Sequence, residues 1–397
     1  MKSERCLVWG LGIYAVATLI SMATMSVGAG IVALAILIAF GGPVGFWHEF
    51  RREISRPNSR NYLIVSLALA GACALSLIVA AVFPLTYGGK HAEIHFLRDM
   101  AKCWYLFWPL VLVVGLRQIS IADQNRVLNA WLVAFAVLSI VGVQQYFTGW
   151  PRPQRIPGHD AYFHATLFLG HHLSVASIFI FPLFVALDLT LRPRGQSRRF
   201  LIAASGLGVL TLFLGFSRML WVALPIGLLL WGFWALPRRW GISLAVLACI
   251  GGLAISQHPE IQRRIHDTQG VGTREQLWAT NIEFLKARPI SGTGWHHNLE
   301  TAEYYLRTKQ PQGDLFIGHA HNNALEMLAS TGVIGFLAWF TWCVFAVWLL
   351  WKNPRLGFSR GLICAWLVFQ LNGLTQVNFW EAKVLHQVMW VVAWSLL

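Results

Sequence analysis

Charge is what this sequence has least of. Only 12% of its 397 residues are Asp, Glu, Lys or Arg, against roughly a quarter in an ordinary soluble chain. With 56% of the residues hydrophobic and a mean hydropathy of +0.55, a soluble globular domain is excluded. Cysteine is also sparse. Cys6, Cys73, Cys103, Cys249, Cys343 and Cys364 form no C-x-x-C pair, which excludes zinc ribbons and thioredoxin-like motifs. All but Cys103 sit in strongly apolar runs and read as small buried hydrophobes. The chain carries no H-E-x-x-H motif, no internal repeat and no low-complexity tract.

What is abundant is apolar sequence in long runs. A spanning helix needs about 20 apolar residues, and the chain holds enough for about a dozen. The runs place spans at 6–25, 27–47, 62–83, 103–116, 127–147, 166–187, 200–216, 219–236, 241–257, 324–351, 361–376 and 384–397. The fold expected is an all-α polytopic membrane protein of about 12 transmembrane helices. The opening Met-Lys-Ser-Glu-Arg before an apolar run mimics a signal peptide. No small-residue cleavage site follows it, so it reads as a retained first helix.

The net charge of +14 invites a nucleic-acid reading until the charges are located. Alternate short loops, counted from the N-terminus, hold 17 Lys and Arg, while the opposite short loops hold seven. The positive-inside rule then puts both termini in the cytoplasm and the long loop, 258–323, outside. The basic excess is topogenic, and no nucleic-acid partner is expected. Three units follow: helices 1–9 over 1–257, a large outer loop over 258–323 containing short helices, and helices 10–12 over 324–397. All histidines but His48 fall on the outer side or at outer helix ends.

Three outer features can carry chemistry. Residues 200–236 form one apolar stretch broken only by Gly215-Phe216-Ser217-Arg218. A single helix of that length overshoots a hydrocarbon core of about 30 Å, so the chain must turn there. That fixes Arg218 at the outer interface, as a functional arginine or as an anchor that snorkels to lipid phosphate. In the long loop, Arg274, Trp278, Ile282 and Leu285 recur at helical spacing, which puts the arginine on the apolar face. The bland alternative is a solvated arginine on a surface helix. Third, Gly318-His319-Ala320-His321-Asn322-Asn323 immediately precedes the tenth span. Two histidines at i and i+2 suggest a metal, but no third ligand with suitable spacing accompanies them. Histidine at the bundle mouth suits general-base work; the structural alternative is a helix cap by Asn322.

Two interfacial arginines can hold a polyprenyl diphosphate by paired charge-assisted hydrogen bonds while its tail stays in the bilayer. They would stabilise the charge that develops on the leaving diphosphate, and a histidine would accept the proton of an acceptor hydroxyl.

With these residues in view, the chain resembles the O-antigen ligases of the O-antigen ligase/polymerase superfamily, which are GT-C-type membrane glycosyltransferases. Gly-Phe-Ser-Arg218-Met-Leu-Trp is similar to the family's S-R-x-x-W stretch. Arg274 with Trp278, Pro289, Gly292 and Gly294 is similar to its second arginine and P-x-x-G-x-G continuation. His321-Asn322, with Gly332 and Gly335 beyond, fits H-[NSQ]-x9-G-x-x-[GTY] in full. The resemblance implies transfer of polysaccharide from undecaprenyl diphosphate to a sugar of lipid A–core oligosaccharide at the periplasmic face of a Gram-negative inner membrane. It also implies inversion at the transferred sugar, with no metal, no ATP and no other cofactor. By motif, Arg218 and Arg274 would hold the diphosphate and His321 would deprotonate or orient the acceptor. Arg155 and Arg288 are further diphosphate candidates; His319, Asn322 and Glu326 are candidate supports. An O-antigen polymerase shares the donor and the plan. A transporter of lipid-linked sugars would instead need ionisable residues near the midplane; the intramembrane suspects are only Asp188 and His386, both near span ends.

Overall fold

The computed structural model describes residues 2–156, 161–243, 262, 269–309 and 316–397. Among these the chain is helical, and the only strand-like pairings are isolated bridges, Tyr87 with Lys90 and Arg155 with Phe163. The helices are α1 (Lys2–Ala17), α2 (Met22–Ala39), α3 (Pro43–Ile54), α4 (Pro57–Val82), α5 (Phe96–Ala101), α6 (Trp108–Gln118), α7 (Ile121–Thr148) and α8 (His172–Leu189). They continue as α9 (Arg198–Leu214), α10 (Arg218–Ala235), α11 (Gln269–Ala287), α12 (Asn298–Lys309), α13 (Asn323–Lys352), α14 (Ser359–Asn372) and α15 (Ala382–Ser395).

Among the described residues, seven helical stretches are long and apolar enough to cross a membrane: Met22–Ala39, Pro57–Val82, Phe96–Gln118, Ile121–Thr148, His172–Leu189, Arg218–Ala235 and Asn323–Lys352. The protein is thus a polytopic membrane protein. Four further expected spans are helices of 16, 17, 14 and 14 residues, α1, α9, α14 and α15. The span expected over 241–257 lies almost wholly outside the described residues, and a total of 12 is not established. Cys249 also lies outside them; of the other five cysteines, all unpaired thiols, Cys73, Cys103, Cys343 and Cys364 are buried.

Local chemistry explains where elements begin and end. Ser21 caps α2 through a reciprocal box with Thr24. Ser120 and Ser197 cap α7 and α9 by accepting from Asp123 and Phe200 amides. The expected second span does not run on to residue 47: Gly41 and Gly42 take positive φ and Pro43 opens a separate amphipathic helix. The stretch 48–61 between the expected second and third spans is therefore mostly helical, with Arg51 and Arg52 in the last turn of α3 and Arg60 in the first turn of α4.

α8 and α15 lie at the centre. α8 buries Ser174 to Ala186 without interruption and α15 buries Val384 to Ser395, so each is buried on every face. α9 packs on α7 and α8, while α10 packs on α14. The two ionisable intramembrane suspects have structural partners. Tyr14 Oη and His386 Nδ1 share a hydrogen bond of 3.0 Å. Asp188 accepts from the Gly361 amide at 3.1 Å and Trp231 Nε1 at 3.3 Å. Both are thereby tied into the packed bundle, while His386 Nε2 has no hydrogen-bond partner among the described residues.

Candidate active site

The turn predicted at 215–218 is present. α9 stops at Leu214, Phe216 adopts φ +56° and Arg218 begins α10. The reversal is held from outside. Ala165 donates its amide to Leu214 O at 3.2 Å, and His164 Nδ1 lies 3.1 Å from Gly215 O. The Phe216 ring lies parallel to Tyr146, with centroids 6.1 Å apart. Arg218 is left half-buried at the mouth of the reversal.

α11 brings Arg274 to the same place. Trp278, one turn on, donates its indole N–H to Ala320 O at 2.8 Å. Ala320 is fully buried, and its own amide donates to Glu326 Oε2 at 2.9 Å. The residue between the two histidines is thereby clamped from both sides, while exposed His319 and half-buried His321 flank it. His321 holds φ +47°, a conformation costly for a non-glycine residue and one that clusters at functional sites. Asn322 then caps α13 by accepting from the Leu325 amide at 3.0 Å.

The electrostatics tie these groups together. Burial, and then the positive charge of Arg218, lower the pKa of the Arg274 guanidinium. Burial lowers the His321 imidazole below its ordinary 6.5, and the charges of Arg274, His319 and His171 push the same way. His321 is accordingly neutral at pH 7, the form that can accept a proton.

The other candidates sit differently. Arg288 is about 21 Å along the helix from Arg274 by axial rise, and its electrostatic neighbour is Tyr87. Arg155 is exposed on the bridge to Phe163, one residue from His164. Glu326 is buried; its carboxylate accepts from the Ala320 amide and from Asn298 Nδ2 at 3.1 Å, so it ties α12 to the backbone between the histidines. The inward face of α11 also differs from the expected stripe. It buries Leu277, Thr280, Asn281 and Phe284, while Ile282 is 43% exposed. The reason is polar: Asn281 bonds Leu277 O and accepts from Asn298, so two satisfied polar residues stand where periodicity sought apolar ones.

Beside His321 opens a cavity of about 460 Å³, lined by His171, His296, His319, Trp380, Glu381 and Lys383 among others. Lys383 is pinned by Leu169 O at 3.0 Å and Glu381 at 3.0 Å, and Glu381 accepts from Ser174 Oγ at 2.6 Å. His171, Glu381 and Lys383 were not singled out from sequence, and His296 only as a neighbour of the rejected metal reading. The available signal was weak: paired histidines at 171–172 and 296–297, and two charges just before the last apolar run.

The glycines of the two motifs meet. At Gly332, φ +64° and ψ −170° kink α13 and expose its backbone groups. The loop after α11 satisfies them. Thr293 and Gly294 amides donate to Ala329 O and Ser330 O, both at 3.0 Å, and Val333 donates to Pro289 O at 2.9 Å. A Cβ on Gly292 would stand 2.3 Å from the Ser330 carbonyl carbon, and one on Gly332 2.2 Å from that of Ile290. Pro289-x-x-Gly-x-Gly and Gly332 are two halves of one backbone clasp.

His296 gives a stability prediction. Burial, aided by Lys102 and His319, pushes its imidazole down to about 3, against the opposing pull of Asp99. Unfolded, it takes a proton below pH 6.5; folded, it stays neutral until about pH 3. The unfolded state therefore binds more protons in that window, and stability falls as pH drops from 6.5. A melting-temperature series in detergent from pH 7 to 4 should show that decline, with a shallower slope for His296→Gln. Equal slopes would remove His296 as the cause.

Among the described residues no group of His, Cys, Asp and Glu has a geometry suited to a metal ion. Residues 201–340 match the family described as O-antigen ligase. A protein of Pseudomonas aeruginosa PAO1 named O-antigen ligase is 28% identical over 258 residues, covering 62% of this chain and 57% of that relative. The chain is thus matched to a little over half the length of the curated relative.

Proposed function

The chain belongs to the O-antigen ligase superfamily, and from that premise we propose that it transfers polysaccharide from undecaprenyl diphosphate to a sugar hydroxyl of lipid A–core oligosaccharide. The reaction takes place at the periplasmic face of a Gram-negative inner membrane, and both termini lie in the cytoplasm. The observation that carries the reading is the junction of Trp278 with Ala320, which brings Arg274 within electrostatic reach of both Arg218 and His321.

In this mechanism Arg218 and Arg274 bind the donor diphosphate and stabilise the charge it gains on leaving. His321, neutral at working pH, takes the proton from the acceptor hydroxyl. The acceptor oxygen bonds to the anomeric carbon as the bond from that carbon to the diphosphate oxygen breaks. One displacement inverts the configuration. The role of Glu326 is to hold Ala320, and through it the backbone of His319 and His321. The cavity lined by His171, Trp380, Glu381 and Lys383 is placed to receive the acceptor. Arg155 is a further phosphate contact in this reading, whereas Arg288, about 21 Å from Arg274 by axial rise, is too far away to share the same diphosphate.

The test uses purified protein with undecaprenyl-diphosphate glycan, lipid A–core acceptor and EDTA, without nucleotide. Conjugate on lipid A–core is the expected product. Glycan growing on undecaprenyl diphosphate instead would make the chain a polymerase. No bond formed to either acceptor, with a known ligase active alongside, would return the transporter reading.

A further inference from the structure

The end of the bundle opposite the histidine cavity holds a second site of different chemistry. α8, α13 and α14 each connect the two ends: α8 runs from His172 to Asp188, α13 from Asn323 to Leu350, and α14 back from Ser359 to Asn372. A cavity of about 320 Å³ at the far end is lined by Asp188, Arg192, Arg360, Ser359, Trp234 and Trp351, with apolar neighbours. Beside it lies an apolar slot of about 370 Å³, formed by Leu230, Phe233, Trp234, Ile363, Cys364 and Leu367. The two cavities share Trp234 and Ile363. From Arg360 to Leu367 the slot follows α14 for about 10 Å toward the bundle interior.

We propose that this pair of cavities binds an anionic glycerophospholipid, headgroup phosphate in the first and acyl chain in the second. The charges favour a single phosphodiester. Asp188 is already satisfied by Gly361 and Trp231, and Arg360 Nε stands 3.8 Å from it, beyond hydrogen-bond range. Arg192 lines the same cavity and adds a second positive charge within electrostatic reach of Asp188. Two arginines against one satisfied carboxylate leave one positive charge, and arginine is suited to a phosphate oxygen pair. The lip is built for an interface: Trp234 and Trp351 lie 5.6 Å apart, 40% and 62% exposed, as tryptophans do at headgroup level. Leu230, Phe233 and Leu367 are exposed apolar surface that a bilayer covers with acyl chains. A soluble anion leaves this slot empty, and a zwitterionic lipid brings its own cation against the arginines. Basic pockets between helix ends are known lipid headgroup sites. The inference is independent of the transfer reaction.

Binding is measured by native mass spectrometry and thermal shift on the full chain in detergent. The probes are dioleoyl phosphatidylglycerol, dioleoyl phosphatidylcholine and inorganic phosphate. Phosphatidylglycerol should bind and stabilise, and the other two should not. Arg192→Gln, at an exposed residue, should weaken its binding about fivefold. Leu367→Trp, which fills the slot and leaves the charges alone, should weaken it too. Equal binding of phosphatidylcholine, equal protection by phosphate alone, or wild-type affinity in both variants would each overturn the proposal.

Discussion

Transfer by Arg274→Gln is expected to fall by about 10²–10³-fold, the usual cost of removing one charge-stabilising donor, and its acid limb should move to higher pH. The second effect is the more diagnostic. His321 acts as a base only when neutral, and burial, Arg274, His319 and His171 all hold its pKa below 6.5. The acid limb of the wild-type rate therefore lies below pH 6.5. Removing the Arg274 charge lets the imidazole rise toward its ordinary value, so protonation cuts the rate at a higher pH. His321→Ala should lose about 10²–10⁴-fold and lose the acid limb with it. Single-turnover transfer rates from pH 5 to 9 decide the matter. An unchanged limb in Arg274→Gln would separate the arginine from the histidine. A limb that persists in His321→Ala would leave His321 only a positioning role.

The largest stability effect is expected at Gly332→Ala. Its φ and ψ of +64° and −170° fall in a region that is essentially glycine's alone. The added Cβ would meet the Ile290 carbonyl at 2.2 Å, backbone that cannot swing aside. Strain alone costs about 1–3 kcal/mol, and the clash opens the clasp that satisfies Ala329, Ser330 and Val333. Little folded protein should survive. Gly71→Ala is the control, because that helical glycine has nothing within 4 Å and an ordinary φ; it should be neutral or mildly stabilising. Thermal melting monitored by size-exclusion fluorescence compares the two. Equal midpoints would mean that the kink is dispensable.

Much of the site was legible because membrane physics leaves few options. A 37-residue apolar stretch must fold back, so the break at Gly215–Arg218 followed from thickness alone. Asn322 at the start of an apolar run is a cap by its chemistry, and it caps α13. Arg274 and Trp278 fall one turn apart in any helix, and that turn joins Arg274 to the Ala320 loop.

Other features had no local signal. The inward face of α11 was misread because Asn281 and Thr280 are buried among polar partners supplied by α12 and by their own helix. Glu381 and Lys383 look like ordinary charges before a last span until Ser174 and Leu169 are brought against them. The arginine pocket at the far end joins residues 188 and 192 to residue 360.

Hydropathy by itself determined that this chain crosses a membrane repeatedly and turns back at Gly215–Arg218. Each is a property of contiguous residues, and the bilayer reads contiguous residues. Only the tertiary structure decided which arginines meet which histidine, why Gly292 and Gly332 must both lack a Cβ, and what lies beside His321. Those are contacts between segments tens to hundreds of residues apart, fixed by backbone groups whose partners no local pattern names.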